Sequence, residues 1–155
     1  GQTIRRSPTV TPVVRLAQLA NAEACERLDT QARQETAGAR GAEAFFAEQP
    51  LSQLVGHPAG FTLVAEVDGV TVGFATTRTT RVGESIVATI VRVFVTAQAR
   101  RVGIGDALIA AARLQARERG CARIDALALP GDRDTKNLFE RNGLTARLIV
   151  ATSAL

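Results

Sequence analysis

A long, mostly β-branched run at Ser85–Thr96 constrains the fold of this chain more than any other segment. Apolar side chains fall on both alternating faces of the run, which predicts a central strand covered on both sides. After a short turn, Gly103–Arg119 has helical periodicity, and Gly120 is placed to end that helix. The predicted buried stripe of the helix consists of Ile104, Ala107, Leu108, Ala111 and Leu114. A buried strand followed directly by an amphipathic helix predicts a sheet flanked by helices.

Turn signals divide the rest of the chain into further strands and helices. Asp68-Gly69 lies between the apolar segments Phe61–Val67 and Val70–Thr77, which is the pattern of a tight hairpin. The other predicted strands are Thr9–Arg15, Ala122–Leu129 and Thr145–Thr152. The other predicted helices begin at Asn21, span Gly41–Gln49 and span Asp134–Arg141. This order is that of a mixed α+β fold, and the length suits one domain over 1–155, with 1–8 disordered or poorly packed.

Composition excludes several classes of protein. The hydrophobic fraction is 46% and the charged fraction is 22%, values that are typical of soluble globular proteins. No apolar stretch approaches the roughly 20 residues that span a bilayer, and Gly1–Pro8 is polar and basic, unlike a secretory leader. We therefore expect a cytoplasmic protein without a membrane partner.

The basic balance of the chain favours a small anionic ligand over nucleic acid. The net charge is +4, and the adjacent basic pairs are Arg5-Arg6 and Arg100-Arg101. The chain has no Tyr or Trp, so a stacking surface for bases is not expected. An Arg-rich composition unrelated to function explains the charge equally well. Cys25 and Cys121 lie far apart and the chain has one His, so no metal site is predicted.

The turn between the central strand and its helix has the composition of an anion site. The first amides of a helix lack intrahelical acceptors, and the helix dipole adds positive charge there. Gly103 and Gly105 allow a ligand to approach the backbone, and Arg100 and Arg101 can contact a phosphate. The alternative is a tight turn whose glycines only relieve crowding, and the local sequence leaves both interpretations open. The pattern is neither a Walker loop nor the dinucleotide fingerprint.

The segments Val95–Gly105 and Leu138–Leu144 together resemble the GNAT family of N-acetyltransferases. The segment from Val95 to Gly105 resembles the family pattern Arg/Gln-x-x-Gly-x-Gly/Ala between a strand and a helix, with Arg100, Gly103 and Gly105 in the matching positions. The segment Leu138–Leu144 resembles the later Leu-Tyr-Glu-x-x-Gly-Phe helix end of that family. The resemblance covers nearly the whole chain and implies a central mixed sheet of six or seven strands flanked by about four helices.

The resemblance also implies a site for acetyl-CoA as co-substrate. The central strand would pair with the pantetheine arm through its backbone, and the amides of the turn would hold the pyrophosphate. Asn137 is the nearest Asn to the position before the last helix that the family often fills, which here is Asp132. The implied coenzyme-binding residues are Val93, Phe94, Val95, Arg100, Arg101, Val102, Gly103, Ile104, Gly105 and Asn137.

The chain departs from the family at the positions of the usual acid and base. The position of the family's frequent Tyr acid is Phe139, and the position of its frequent Glu base is near Thr89. The remaining candidates for proton transfer are Glu84, Asp125, Asp132, Asp134 and His57. Each has a simpler interpretation, as a solvated turn carboxylate for Glu84, an edge or surface position for Asp125, helix caps for the two later aspartates, and a solvated loop residue for His57. Glu84 is retained as the candidate catalytic residue.

Transfer of an acetyl group from acetyl-CoA to an amine, by direct attack in a ternary complex, is the function that this resemblance implies. No Cys or Ser occupies a recognisable nucleophile position, which favours direct attack. The acceptor would be a small molecule or a peptide amine. The alternatives are an acyl-CoA-binding module without catalysis and, less favoured, a small nucleic-acid-binding protein. The tail after Gly143 has room for one strand, so either the sheet has six strands or a neighbouring subunit, as in a homodimer, completes its edge.

Overall fold

The computed structural model of the protein describes residues 11–51 and 55–155, which form five strands and four α-helices. The strands are β1 (Val13–Leu16), β2 (Gly60–Val67), β3 (Val70–Val82), β4 (Ser85–Val95) and β5 (Arg123–Ala126). The helices are α1 (Ala22–Glu35), α2 (Ala42–Glu48), α3 (Ile104–Glu118) and α4 (Arg133–Arg141). The predicted disorder of residues 1–8 and the start of the predicted first strand lie outside the described residues.

The five strands form one mixed sheet in the order β1-β2-β3-β4-β5. The first three pairs are antiparallel, and β4 pairs with β5 in parallel after the crossover through α3. The predicted hairpin between β2 and β3 is confirmed, because Asp68 and Gly69 have φ of 51° and 78°, the left-handed values that such a turn requires. The mixed α+β architecture that the sequence predicts is therefore confirmed.

Helices cover the two faces of the sheet, so residues that alternate along each strand enter two separate cores. On one face, α3 and α4 pack against alternate residues of β2, β3 and β4. The buried residues of this core include Phe61, Leu63, Ala75, Ile90, Leu108, Ile109 and Phe139. On the other face, α1 and α2 pack against the intervening residues. The buried residues of that core include Cys25, Leu28, Val64, Phe74 and Phe94.

Two details of the α3 region differ from the sequence prediction. The buried residues of α3 are Ile104, Leu108, Ile109, Ala112 and Ala116, whereas Leu114 is 54% exposed. Ile104 and Leu108 are buried as predicted, and the rest of the buried row runs along the face of α3 that packs against β2, β3 and β4. The strand predicted over Ala122–Leu129 forms pairs only at Arg123–Ala126, because the chain separates from β4 after that point although β4 continues to Val95.

The strand predicted over Thr145–Thr152 is wrong, and with it the count of six or seven strands. Residues after Gly143 form no strand, and Leu148, Ile149 and Val150 are 70%, 92% and 80% exposed. Their β-branched composition favours a strand, but strand propensity stabilises little without a covering surface. Among the described residues, the tail meets the sheet through an ion pair, Arg147 Nη2 to Asp125 Oδ2 at 2.7 Å, and Leu144 packs against the α3-side core.

None of the helices in the described part of the chain is both long enough and apolar enough to cross a bilayer.

Candidate functional site

A gap opens in the sheet where β4 and β5 separate. The two strands pair from Val87 with Arg123 to Ile90 with Ala126, and the last bond runs from Leu127 N to Ile90 O at 3.0 Å. Strand β4 continues to Val95, whereas β5 has already ended. Beyond Ile90, the β5-facing edge of β4 therefore has no neighbouring strand among the described residues.

A β-bulge decides which backbone groups of β4 face this gap. Arg92 pairs with Thr76 while Ile90 pairs with Thr77, so Val91 is the extra residue. Thr96 N donates to Val72 O at 2.8 Å, so the backbone of Thr96 faces β3. By alternation the N–H and C=O groups of Val93 and Val95 face the gap. The backbone of Phe94 faces β3, and its side chain packs in the α1-side core.

The turn that leads from β4 to α3 presents several backbone amides with no acceptor. Arg101 has φ of 67° and Gly103 has φ of 82°, two left-handed residues in one tight turn. The first helical bond runs from Ala107 N to Gly103 O at 3.0 Å. Within the described chain, no protein group accepts from the amides of residues 101–105. Amides turned in this way form a concave anion-binding surface, and the dipole of α3 adds to it.

The two glycines of the turn meet different requirements. A Cβ on Gly103 would contact nothing within 4 Å, so its role there is the left-handed conformation of the backbone. A Cβ on Gly105 would lie 3.2 Å and 3.3 Å from the two Cδ atoms of Leu138 in α4. Gly105 is therefore needed for the close packing of α4 on α3, a requirement that the local sequence did not reveal.

The two arginines before the helix point to different partners. The Arg100 guanidinium is ion-paired with Glu35 at the end of α1, and its Nε donates to Val95 O at 2.8 Å. The same group lies 5.3 Å from the centre of the Phe94 ring. Arg101 is exposed and has no ion-pair partner in the described residues. Of the two, Arg101 is the one with a guanidinium that is free for a ligand at the turn.

Helix α4 is fixed against the start of α3. Arg141 donates to both carboxylate oxygens of Asp106, at 2.9 Å and 3.1 Å, and Asn142 Nδ2 donates to Asp106 Oδ1 at 2.8 Å. The Arg141 hydrogen bonds lower the pKa of Asp106, with Asn142 contributing in the same direction. Phe139 is buried in the α3-side core, while Asn137 is exposed on the outer side of α4. The charge of Asp106 near the anion-binding turn is thereby neutralised by Arg141.

Neither Glu84 nor Asp125 has a free carboxyl at the gap, although Asp125 lies only one residue before the last β4–β5 pair. Glu84 is exposed in the Gly83-Glu84 turn that precedes β4, roughly 30 Å from Val93 at the usual rise of a strand. Thr89 stands opposite Asp125 on β5, and hydrogen bonds from Arg147 and then Arg123 lower the pKa of that carboxyl.

Of the remaining candidates, Asp132 and His57 have structural hydrogen-bond partners. Asp132 caps α4, with Oδ1 accepting from Thr135 N at 3.1 Å, and Asp134 is exposed in the first turn of that helix. His57 is exposed, and its Nδ1 accepts from Ala59 N at 3.0 Å.

A buried ion pair beside the bulge was missed by the sequence prediction. Arg92 Nε lies 2.7 Å from Asp29 Oδ1, and the two side chains are 2% and 3% exposed. Arg92 Nη2 also donates to the carbonyl of Gln49 at 2.6 Å, just after α2. Burial lowers the pKa of Arg92, and Asp29 opposes this effect. The signal was present in the sequence as the single charge within the apolar run of β4.

A cavity of about 580 Å³ lies between α1 and α2. Its lining residues are Arg33, Ala37, Gly38, Ala39, Ala42, Glu43, Phe46, Ala47 and Pro50. The Phe46 ring lines this cavity and also contacts a side chain of β4, since its centre is 4.5 Å from the Arg92 guanidinium. The described residues contain no group of three His, Cys, Asp or Glu side chains that could hold a metal ion.

Several solved structures share this fold at low sequence identity. The ribosomal-protein-alanine N-acetyltransferase of Brucella melitensis biovar Abortus 2308 is 22% identical, with a TM-score of 0.74 over 94% of this chain and 99% of that one. The aminoglycoside N-acetyltransferase AAC(6')-Iy in complex with CoA is 21% identical, with a TM-score of 0.72 over 99% of this chain and 100% of that one. The aminoglycoside acetyltransferase meta-AAC0020, from an uncultured soil metagenomic sample and in complex with sisomicin, is 19% identical, with a TM-score of 0.72 over 93% and 95%.

The sequence matches a family model, although the search of curated proteins found no match. The model of the acetyltransferase (GNAT) family matches residues 16–144, which include both cores, the bulge in β4 and the turn before α3. The resemblance of the two sequence segments to this family is thereby confirmed. The chain belongs to the acetyltransferase (GNAT) family.

Proposed function

We propose that the chain binds acetyl-CoA along the gap between β4 and β5 and transfers the acetyl group to an amine. The observation that carries the proposal is the alignment of two features along one line. The free backbone groups of Val93 and the free N–H of Val95 face the gap, and the free amides of residues 101–105 follow directly at its end. An extended amide-containing arm fits the first feature and a pyrophosphate fits the second.

The relatives support the same ligand and an amine acceptor. AAC(6')-Iy has been crystallised with CoA and with a bisubstrate analogue, CoA-S-monomethyl-acetylneamine. In this chain, Arg101 would pair with a phosphate, whereas Arg100 would hold the carbonyl of Val95 in place. Asn137 remains a proposed contact with the outer part of the coenzyme, because its side chain is exposed on α4.

Catalysis in this chain would depend on positioning. The neutral amine nitrogen attacks the thioester carbonyl, the C–S bond breaks and the CoA thiolate leaves. The nitrogen releases its extra proton to water, and the thiolate takes up a proton from water. No Tyr exists in the chain, and the buried Phe139 has no proton to give. Holding amine and thioester together can supply much of the rate without a protein acid.

The acceptor would enter beside α1 and α2. The Phe46 ring lines their cavity and also contacts Arg92 of β4, and the charged residues of the lining are Glu43 and Arg33. The Glu43 carboxylate can pair with a cationic amine, in agreement with the sisomicin complex of meta-AAC0020. A Glu43→Gln variant should raise the KM for an aminoglycoside acceptor and leave the Kd for acetyl-CoA unchanged.

The binding site is tested with Val102, which is 65% exposed in the turn. Val102→Glu places a carboxylate beside the pyrophosphate position and should weaken acetyl-CoA binding in calorimetry by about tenfold or more. Val102→Gln has the same size without the charge and is the matched control. Equal affinities of the Glu and Gln variants would refute the pyrophosphate site.

The chemistry is tested by a pH–rate profile with two acceptors of different pKa. Only a neutral amine attacks, and a Lys-like amine has a pKa near ~10.4, so the rate should rise with pH as the acceptor deprotonates. Glu84→Gln and His57→Ala should leave this limb unchanged. A limb near pH 6–7 that is the same for both acceptors and is lost in one variant would reveal a protein base.

The second candidate function is an acyl-CoA-binding module of the same fold that has lost catalysis. Two observations favour it. Glu84 lies far from the gap, and the carboxyls of Asp125 and Asp132 are held by structural partners. Acetyl-CoA binding without turnover over a broad panel of small amines and peptide N-termini would favour this function.

A further inference from the structure

The segment Val91–Val95 has an ambiguous strand register. Its sequence is Val-Arg-Val-Phe-Val, so every side chain except that of Arg92 could lie in an apolar core on either face of the sheet. The two cores of the sheet are both apolar at this point, with Ala75 and Ile90 on the α3 side and Phe74 on the α1 side. Apolar side chains alone therefore do not decide which way this segment faces.

The bulge at Val91 selects one of two registers. In the observed register, Arg92 is opposite Thr76 on the α1 side, and Val93 is opposite Ala75 on the α3 side. Without the bulge, Val91 would be opposite Thr76 and Arg92 would be opposite Ala75. Such a slip of one residue exchanges the faces of all following side chains and backbone groups.

Arg92 is the residue whose energy differs most between these registers. In the observed register its guanidinium meets Asp29 of α1 at 2.7 Å, the Gln49 carbonyl at 2.6 Å, and the Phe45 and Phe46 rings at 5.3 Å and 4.5 Å. In the other register, it would enter the α3-side core, where Leu108 and Ile109 are 0% exposed and offer no partner. A buried charge without a partner is strongly unfavourable.

We propose that the contact of Arg92 with Asp29 determines the register of β4 and so fixes which backbone groups face the gap. Val93 and Val95 present their amides and carbonyls to the gap only in the bulged register. Arg92 is a positioning residue in this scheme, because it acts on the ligand through the strand and does not touch it. The link to acetyl-CoA rests on the proposed function, whereas the link to strand register does not.

The test replaces the whole pair by apolar side chains of similar shape, as Asp29→Leu with Arg92→Met. Such a replacement removes both charges at once, so it leaves no unpaired buried charge and should keep or raise the Tm. Without the pair, both registers become acceptable to the cores. NMR cross-strand contacts between Thr76 and residue 92 should weaken, contacts between Thr76 and residue 91 should appear, and the Kd for acetyl-CoA should rise about tenfold.

Two further variants separate register from stability. Arg92→Lys keeps a positive charge opposite Asp29 but loses the planar group, so it should keep one register and nearly the original affinity even at a lower Tm. Arg33→Met is the matched control, because Arg33 also contacts Asp29 and Phe46 but lies 51% exposed on α1. It should change neither register nor affinity.

The outcomes distinguish this proposal from the proposed function. A double variant with one set of contacts between Thr76 and residue 92 overturns register control, whatever its affinity. A double variant with mixed registers and reduced affinity supports both links. If the unaltered protein does not bind acetyl-CoA, the proposed function fails, and the NMR contacts of the double variant still decide the register.

Discussion

Arg101 is expected to lower stability and to raise coenzyme affinity at once, and Arg101→Gly tests both effects. Its φ of 67° is left-handed, a conformation that costs a non-glycine residue about 1–2 kcal/mol. Glycine removes this strain, although its freedom in the unfolded chain offsets about 0.5–1 kcal/mol. Because the side chain is exposed and has no ion-pair partner in the described residues, little else is lost. The free energy of unfolding should therefore rise by about 0.5–1 kcal/mol.

The same change should weaken the binding of acetyl-CoA. A hydrogen bond to a charged group contributes about 1.5–3 kcal/mol, and an exposed one lies at or below the lower end of that range. Loss of the guanidinium should then raise the Kd about tenfold. Strain that is retained at a binding site and relieved only with loss of binding is typical of functional backbone.

The assay pairs urea denaturation of the free protein with calorimetry of acetyl-CoA and of pantetheine. The pantetheine Kd should not change, because that ligand has no pyrophosphate. Asp68→Gly is the matched control, since Asp68 is the other non-glycine residue with positive φ in the described ranges, at 51°, and lies in the β2–β3 turn. It should relieve some strain without any effect on affinity. An Arg101→Gly variant that is less stable, or that binds acetyl-CoA as tightly as before, would refute the reasoning.

Three further predictions concern packing, cysteine reactivity and association. Gly105→Leu should lower the free energy of unfolding by about 1–3 kcal/mol in urea titration, and Leu138→Ala in the same chain should restore part of it because it vacates the contacted space. At pH 8, Ellman's reagent should modify the half-buried Cys121 well before Cys25, because burial, with Asp29 and Glu26, raises the pKa of Cys25 to about 11; equal rates would contradict this. We predict a homodimer that covers the exposed apolar tail, so Ile149→Lys should shift sedimentation toward monomer, and an unaltered protein that is already monomeric at 100 µM would refute it.

The elements that the sequence predicted correctly are those whose signal is local. The Asp68-Gly69 turn needs left-handed residues, and the helix ending at Gly120 needs a residue with positive φ, which Gly120 has at 79°. Neither depends on a distant partner. The strand predicted after Gly143 was wrong for the opposite reason. A strand needs a partner strand and a covering face, which its own composition cannot supply.

The candidate site was predictable in position but not in its inner detail. Free amides after a strand and before a helix follow from the sequence, since the turn composition and the helix start are both local. The different roles of Gly103 and Gly105 were not predictable, because the second depends on Leu138 in another helix. The bulge was not predictable either, because it is a property of two strands, and its position depends on Thr76 as much as on Val91.

The charge within β4 explains how such a strand can serve a binding site. A run that is apolar on both faces is stabilised by burial in either register, so burial stabilises the strand without selecting its register. A ligand that binds along the backbone requires one register, because amides and carbonyls that face β3 are already used in the ladder. Arg92 selects that register, since its partners Asp29 and Gln49 lie on one side of the sheet only. The least apolar residue of the strand thereby determines what the apolar ones present to the gap.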